Sequence, residues 1–152
     1  MTMLRNAMRV FLSTGLVAIL LGTFGGPVAA QSPGTEEAAV KTVIETMVRS
    51  VNKDALDTLM AQFAADAKIY TRVLRSQVSK DKYREVMTDV FSKGDLISAE
   101  IRDMQVTFGD PSHATVLGTV YLVTRTSRPS GRVEYKLEKR DGRWLIVETN
   151  TK

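Results

Sequence analysis

The sequence predicts an α+β fold: three N-terminal helices packed on a strongly curved antiparallel sheet, a cone with a central cavity. Three observations carry that expectation. Helical periodicity is confined to residues 36–94, interrupted by one early strand, and from Leu96 onward the apolar pattern has period two. A long strand then changes parity, with Ile97, Ala99 and Ile101 on odd positions and Met104, Val106 and Phe108 on even ones. Such a switch needs an inserted residue, so a β-bulge is expected near Arg102-Asp103, bending the sheet. A bent sheet with helices on its concave side encloses space.

Residues 1–30 read as an address. Arg5 and Arg9 precede the uncharged, mostly apolar stretch Val10 to Phe24, and Val28-Ala29-Ala30 offers small residues at a cleavage site. That stretch is short against the roughly 20 residues of a bilayer span. A cleavable signal peptide over 1–30 is therefore expected, with a periplasmic or secreted product and no stable membrane anchor. Residues 31–35 read as a linker and 36–152 as one domain.

From Glu36 the apolar residues fall at Val40, Val43, Ile44, Met47, Val48 and Val51, the stripe of an amphipathic helix. Thr35 is its expected cap, and Glu36 and Glu37 suit the positive end of its dipole. Asn52-Lys53-Asp54 breaks it, and a second helix is expected from Ala55 to Phe63. Lys68 to Leu74 is rich in β-branched and aromatic residues and predicts a strand. Ser79 reads as the N-cap of a third helix whose apolar side carries Tyr83, Val86, Met87, Val90 and Phe91, with Gly94 as its stop. After the bent strand, Gly109 to Ser112 make a turn. His113 to Thr126 form a strand apolar on both faces, Val116, Val120 and Leu122 on one, Leu117, Tyr121 and Val123 on the other. Val133, Tyr135 and Leu137 then alternate with charges, Asp141-Gly142 predicts a type I′ hairpin, and Trp144 to Val147 close the chain with an apolar run. The doubly apolar strands are expected to be covered on both faces.

The chain has no cysteine, which excludes disulfides, thiolate metal sites and a lipid-modified N-terminus. Its net charge of +4 falls to +2 once Arg5 and Arg9 leave, with 19 basic against 17 acidic residues. That balance excludes a nucleic-acid partner on charge grounds, and the basic residues from Arg72 to Arg84 are interleaved with acids as on a solvated face.

Three stretches, Val51-Asn52-Lys53-Asp54-Ala55-Leu56-Asp57, Phe63-Ala64-Ala65-Asp66-Ala67-Lys68-Ile69-Tyr70 and Arg140-Asp141-Gly142-Arg143-Trp144-Leu145-Ile146-Val147, resemble in this order the NTF2-like (SnoaL-like, cystatin-like) superfamily. The resemblance spans Glu36 to Thr151. It implies the cone fold and a homodimer formed through the sheet. Ketosteroid isomerase-like members place a tyrosine and an aspartate where this chain has Met47 and Thr71. Neither a thioether nor a threonine hydroxyl shuttles a proton near neutrality, so no catalytic residue is assigned.

His113, the only histidine, opens a strand after a turn and reads as a solvated rim residue. With one histidine and scattered carboxylates, no metal site or cofactor is expected. The candidate ligand-binding residues are Tyr70, Arg72, Tyr121, Arg125 and Glu148, polar groups on apolar strands that either orient a ligand in the cone or pair along its rim. The expected function is binding of a small, mostly apolar ligand or a partner without catalysis. The alternatives are acid/base chemistry such as isomerisation, cyclisation or dehydration in the same cavity, and an assembly module that dimerises through its sheet.

Overall fold

The computed structural model describes residues 33–151. The expected signal peptide therefore lies outside the described residues. Among them no helix is long and apolar enough to cross a membrane.

Helix α1 runs Pro33–Val51 and so begins earlier than expected. Proline is at home in a first turn, where its missing N–H leaves no bond unmade. Pro33, Gly34 and Thr35 are thus helical, and Thr35 is not the cap. Val40, Ile44 and Met47 are buried along one stripe, as the spacing predicts. Helix α2 is a single turn, Leu56–Met60, shorter than expected, and Phe63 opens strand β1, Phe63–Thr71. The stretch Ala64-Ala65-Asp66, between the expected helix and the expected strand, is extended, with Ala64, Ala67, Ile69 and Thr71 buried. Val73 and Leu74, expected within the strand, lie in the following turn and are exposed. Arg75 takes the left-handed conformation there.

A short strand β2, Ser76–Ser79, was not expected; it is too polar to show alternation. It pairs antiparallel with the end of β1 through Lys68↔Ser79 and Thr71↔Ser76. Helix α3, Lys80–Lys93, has both expected terminators. The Ser79 hydroxyl accepts from the Lys82 N–H at 3.3 Å, and Gly94 takes the left-handed C-cap.

Strands β3 (Leu96–Asp110), β4 (His113–Thr124), β5 (Ser130–Arg140) and β6 (Arg143–Thr151) form the expected antiparallel meander. The sheet order is β2-β1-β6-β5-β4-β3, and β1 joins β6 in parallel. The expected bulge is present: Arg102 faces Thr119 but Gln105 faces Leu117, with Asp103 left-handed between them. Asp141 and Gly142 both have positive φ, as a type I′ turn needs.

A second bulge was not expected. In β6, Ile146 faces Leu137 and Glu148 faces Lys136, so Val147 is the extra residue. The apolar run Trp144 to Val147 therefore does not mark a strand covered twice. Trp144 and Ile146 are buried, and the inserted residue then turns Thr149 inward. Nor is β4 covered on both sides, since Leu117 on its outer face is 41% exposed.

Helix α1 is fastened to the sheet at both ends. The Glu36 carboxylate accepts from the Trp144 indole N–H at 2.7 Å and from Lys139 Nζ at 2.6 Å. At the other end the Asn52 amide donates to the Ala99 carbonyl at 2.8 Å and accepts from the Ala99 N–H at 2.6 Å. Asn52 thereby pairs with β3, the sheet's edge strand, as a neighbouring strand would.

Two predictions follow from these fastenings. Asn52→Ala leaves the Ala99 groups to water and is expected to cost about 1–2 kcal/mol, read as a lower midpoint in urea unfolding. The Lys139 hydrogen bond, and after it the Trp144 indole, hold the Glu36 carboxyl below its ordinary 4.5. A carboxyl whose folded pKa is depressed contributes stability above its unfolded pKa and loses it as pH falls through the folded value. Glu36→Gln should therefore melt lower at pH 7 and lose less stability than the parent between pH 4.5 and pH 3. Parallel melting-temperature profiles would disprove the tether.

Candidate functional site

Between α1, α3 and the sheet lies a cavity of about 450 Å³. Helix α1 contributes Met47, Val48 and Val51, α3 contributes Tyr83, Met87 and Val90, and the sheet contributes Ile69, Leu122, Val133 and Tyr135. Each comes from the apolar face of its element, so the wall is mostly hydrocarbon. The exposed lining residues Arg72, Val73, Lys93 and Asp95 mark the mouth.

Three tyrosines are in this lining: Tyr70 and, packed into or against the core, Tyr83 and Tyr135. Neither the Tyr83 nor the Tyr135 hydroxyl has a hydrogen-bond partner among the described residues. Tyr83, half-buried, stacks edge-on against Phe63 at 5.5 Å between centroids and is in the cavity lining. Burial pushes its phenol up to about 12. Tyr135 is only 5% exposed; burial raises its pKa too, Tyr83 adds to the rise, and the Arg72 charge opposes it. Both phenols are thus neutral donors across the physiological range. The sequence placed these two tyrosines on core faces but did not single them out. A tyrosine on an otherwise aliphatic buried stripe brings a polar tip inward, and that is the signal that would have found them.

The sequence-predicted residues separate. Tyr70 and Arg72 both border the cavity. Tyr70 sits on the alternate pleat from the buried Ile69 and Thr71, and its N–H donates to the Thr149 hydroxyl at 2.8 Å. Arg72 lies just past the end of β1 and extends across the mouth to the backbone of Gly131, so close that any side chain there would collide with it. Tyr121, Arg125 and Glu148 are not in the cavity wall. Tyr121 is opposite in parity to Val120 and Leu122, with the Arg102 guanidinium 4.7 Å from its ring centre. Glu148, turned by the bulge at Val147, accepts from Lys136 at 3.1 Å and Asn150 at 2.6 Å. Arg125 stands at the rim, its N–H donating to the Asp95 carbonyl at 3.0 Å. Met47 and Thr71 do line the cavity. The Thr71 hydroxyl accepts from the Val73 N–H at 3.2 Å.

Carboxylates in the lining are confined to the mouth: Asp89, held by Lys93 at 2.6 Å, and Asp95. His113 opens β4 beside the β3–β4 turn, where it holds Asp110 at 2.8 Å, and its bond together with those of Ser112 brings that carboxyl down to about 2. Among the described residues no group of three or more histidines, cysteines or carboxylates could hold a metal ion. The cavity therefore offers mostly hydrocarbon walls, hydroxyls of tyrosines and threonines, and a guanidinium at the opening.

A family model described as a SnoaL-like domain matches residues 34–150. No curated protein matches the chain. Solved structures share its fold at low identity. An NTF2-like protein of unknown function from Shewanella oneidensis is 15% identical, with 76% of this chain and 98% of that one covered and a TM-score of 0.67. A candidate aromatic ring hydroxylase from Novosphingobium aromaticivorans is 17% identical, covering 80% and 90%, with a TM-score of 0.68. A candidate scytalone dehydratase from the same organism is 17% identical, covering 78% and 85%, at 0.59.

The raised tyrosines give a prediction of their own. A group whose folded pKa is raised contributes stability below its unfolded pKa and loses it as pH climbs through the folded one. Thermal stability should fall between pH 10 and pH 12, and Tyr83→Phe should shrink that fall. An unaltered alkaline profile would mean that Tyr83 titrates freely in water.

Proposed function

This chain belongs to the SnoaL-like domain family, and from that premise we propose that it binds a small, mostly apolar molecule in its cavity without transforming it. The observation that carries the reading is the composition of the enclosed space. A volume of about 450 Å³ suits a small ligand, and its deeper polar groups are un-ionised phenols and threonines. Hydroxyls of this kind orient a carbonyl or ether oxygen by hydrogen bonding. They do not abstract protons near neutrality.

The enzymatic alternative needs an ionisable side chain poised within the cavity. At the two wall positions where the isomerase-like pattern has its tyrosine and aspartate, this chain carries Met47 and Thr71. The hydroxylase and dehydratase names of the two Novosphingobium structures belong to those proteins, and at 17% identity the likeness extends to fold alone. Export after cleavage at Ala30 is part of the proposal, resting on the charge and apolar pattern of residues 1–30. So is a homodimer. Ile97, 60% exposed, and Leu117, 41% exposed, lie with Tyr121 and Val123 on the open side of β3 and β4 and supply apolar area for a second copy.

The neutral dye N-phenyl-1-naphthylamine tests the cavity directly. It should bind once per chain with a rise in fluorescence, and Val133→Trp, which fills the cavity from β5, should weaken binding at least tenfold while the protein stays folded by circular dichroism. Absence of dye binding to the parent protein would overturn the reading. Light scattering should report twice the chain mass, reduced to one by Leu117→Asp.

A further inference from the structure

We propose that the ligand is an amphiphilic anion, with its apolar body in the cavity and a carboxylate, sulfonate or phosphate held at the mouth by Arg72. The inference rests on the binding reading above and adds the charge of the ligand to it.

Four features converge on it. Arg72, an exposed residue of the cavity lining, carries its guanidinium against Gly131, in a path that the glycine leaves clear. Glycine is the residue that permits such a close approach to backbone. Unlike Arg84, Arg102 and Arg140, which are paired with Asp57, Glu100 and Asp66, Arg72 has no carboxylate partner among the described residues. Its charge is felt inside, since it opposes the rise in the Tyr135 pKa. Finally, the turn after β1 also carries Arg75, and the β4–β5 loop carries Arg125, hydrogen-bonded to Asp95 of the mouth, and Arg128. Against these stand Asp95 and an Asp89 already neutralised by Lys93.

An unpaired guanidinium at the edge of a low-dielectric cavity is a strong site for an anion. Its planar fork donates two parallel bonds, and the apolar wall reduces competition from water. The Tyr83 and Tyr135 hydroxyls then serve a second oxygen deeper in the ligand. A cavity of about 450 Å³ takes one small molecule of a few rings or one short chain, which points to a free small anion rather than a two-chain lipid in a bilayer.

The test uses two dyes that differ only in a sulfonate: N-phenyl-1-naphthylamine and 8-anilinonaphthalene-1-sulfonate. In Arg72→Gln the sulfonate's affinity should fall about tenfold, the worth of a charge-assisted hydrogen bond, with the neutral dye changing less than twofold. Gly131→Val, which displaces the arginine but keeps its charge, should shift the sulfonate in the same direction. Arg143→Gln, at the opposite hairpin, should change neither dye. Equal losses for both dyes in Arg72→Gln, or none, would overturn the anion assignment while leaving the cavity reading intact. Failure of the neutral dye to bind the parent protein would instead remove the cavity reading and this inference together. Sedimentation with phosphatidylglycerol vesicles that depends on Arg72, without selective loss of the sulfonate dye, would assign the arginines to a membrane surface and overturn the proposal.

Discussion

A pleated strand can turn its buried set over only by gaining a residue, and that constraint governs what this cavity contains. In β3 the inserted residue is Asp103, held left-handed, and it passes the inward role from Ala99 and Ile101 to Met104, Val106 and Phe108. In β6 it is Val147, which hands the inward role from Trp144 and Ile146 to Thr149. Bulges increase local twist and bend a strand. The sheet is thus bent where its own apolar pattern changes phase, and the helices cannot lie flush against all of it. Of these inward residues Ala99 and Thr149 line the cavity, while Ile101, Met104, Val106, Phe108, Trp144 and Ile146 pack in or against the core.

Space of that kind survives only if the helices are kept from settling into it. Core packing alone favours collapse, because an empty apolar volume forfeits contacts on every side. Here α1 is fixed at both ends by polar contacts that position it against the sheet. Glu36 engages the β5–β6 hairpin through Lys139 and Trp144, and Asn52 engages the free edge of β3. Val40 and Ile44 between them are wholly buried, whereas Val48 and Val51 line the cavity. One helix therefore serves as core at its start and as cavity wall at its end. The polar groups at its termini set that gradient.

Where local chemistry decides, the sequence was legible. Ser79 and Gly94 bracket α3, Asp141-Gly142 make the type I′ turn, and the bulge at Asp103 stands where the parity switch required it. What escaped was decided by distant partners. Strand β2 is four residues with no apolar face, extended only because β1 offers it a partner, and the parallel pairing of β1 with β6 has no local signature. Among the candidate residues the same boundary appears. Counting by twos from Trp144 aims Glu148 into the cone, but an apolar insertion such as Val147 is invisible in a run already apolar at every position. Tyr121 stood on a strand apolar on both faces, where the sequence alone leaves the choice of inner face open. Arg72 lies in the turn just past β1, where strand alternation no longer dictates its direction.

Tyr83 and Tyr135 bring hydroxyls without protein partners into a mostly apolar lining, yet among the described residues no buried side-chain polar atom is left unsatisfied, so these oxygens stay reachable from the open space. Filling it with aliphatic side chains would have stabilised the fold, and Tyr83→Phe or Tyr135→Phe are minimal steps in that direction. Under the binding reading proposed above, both hydroxyls, the open volume and the guanidinium near the entrance suit an oxygen-bearing ligand. Its acceptors would take the phenol protons' hydrogen bonds in place of water while its body gains apolar contact along the walls. Affinity at such a site comes from the hydrocarbon, and orientation from the phenols and the arginine.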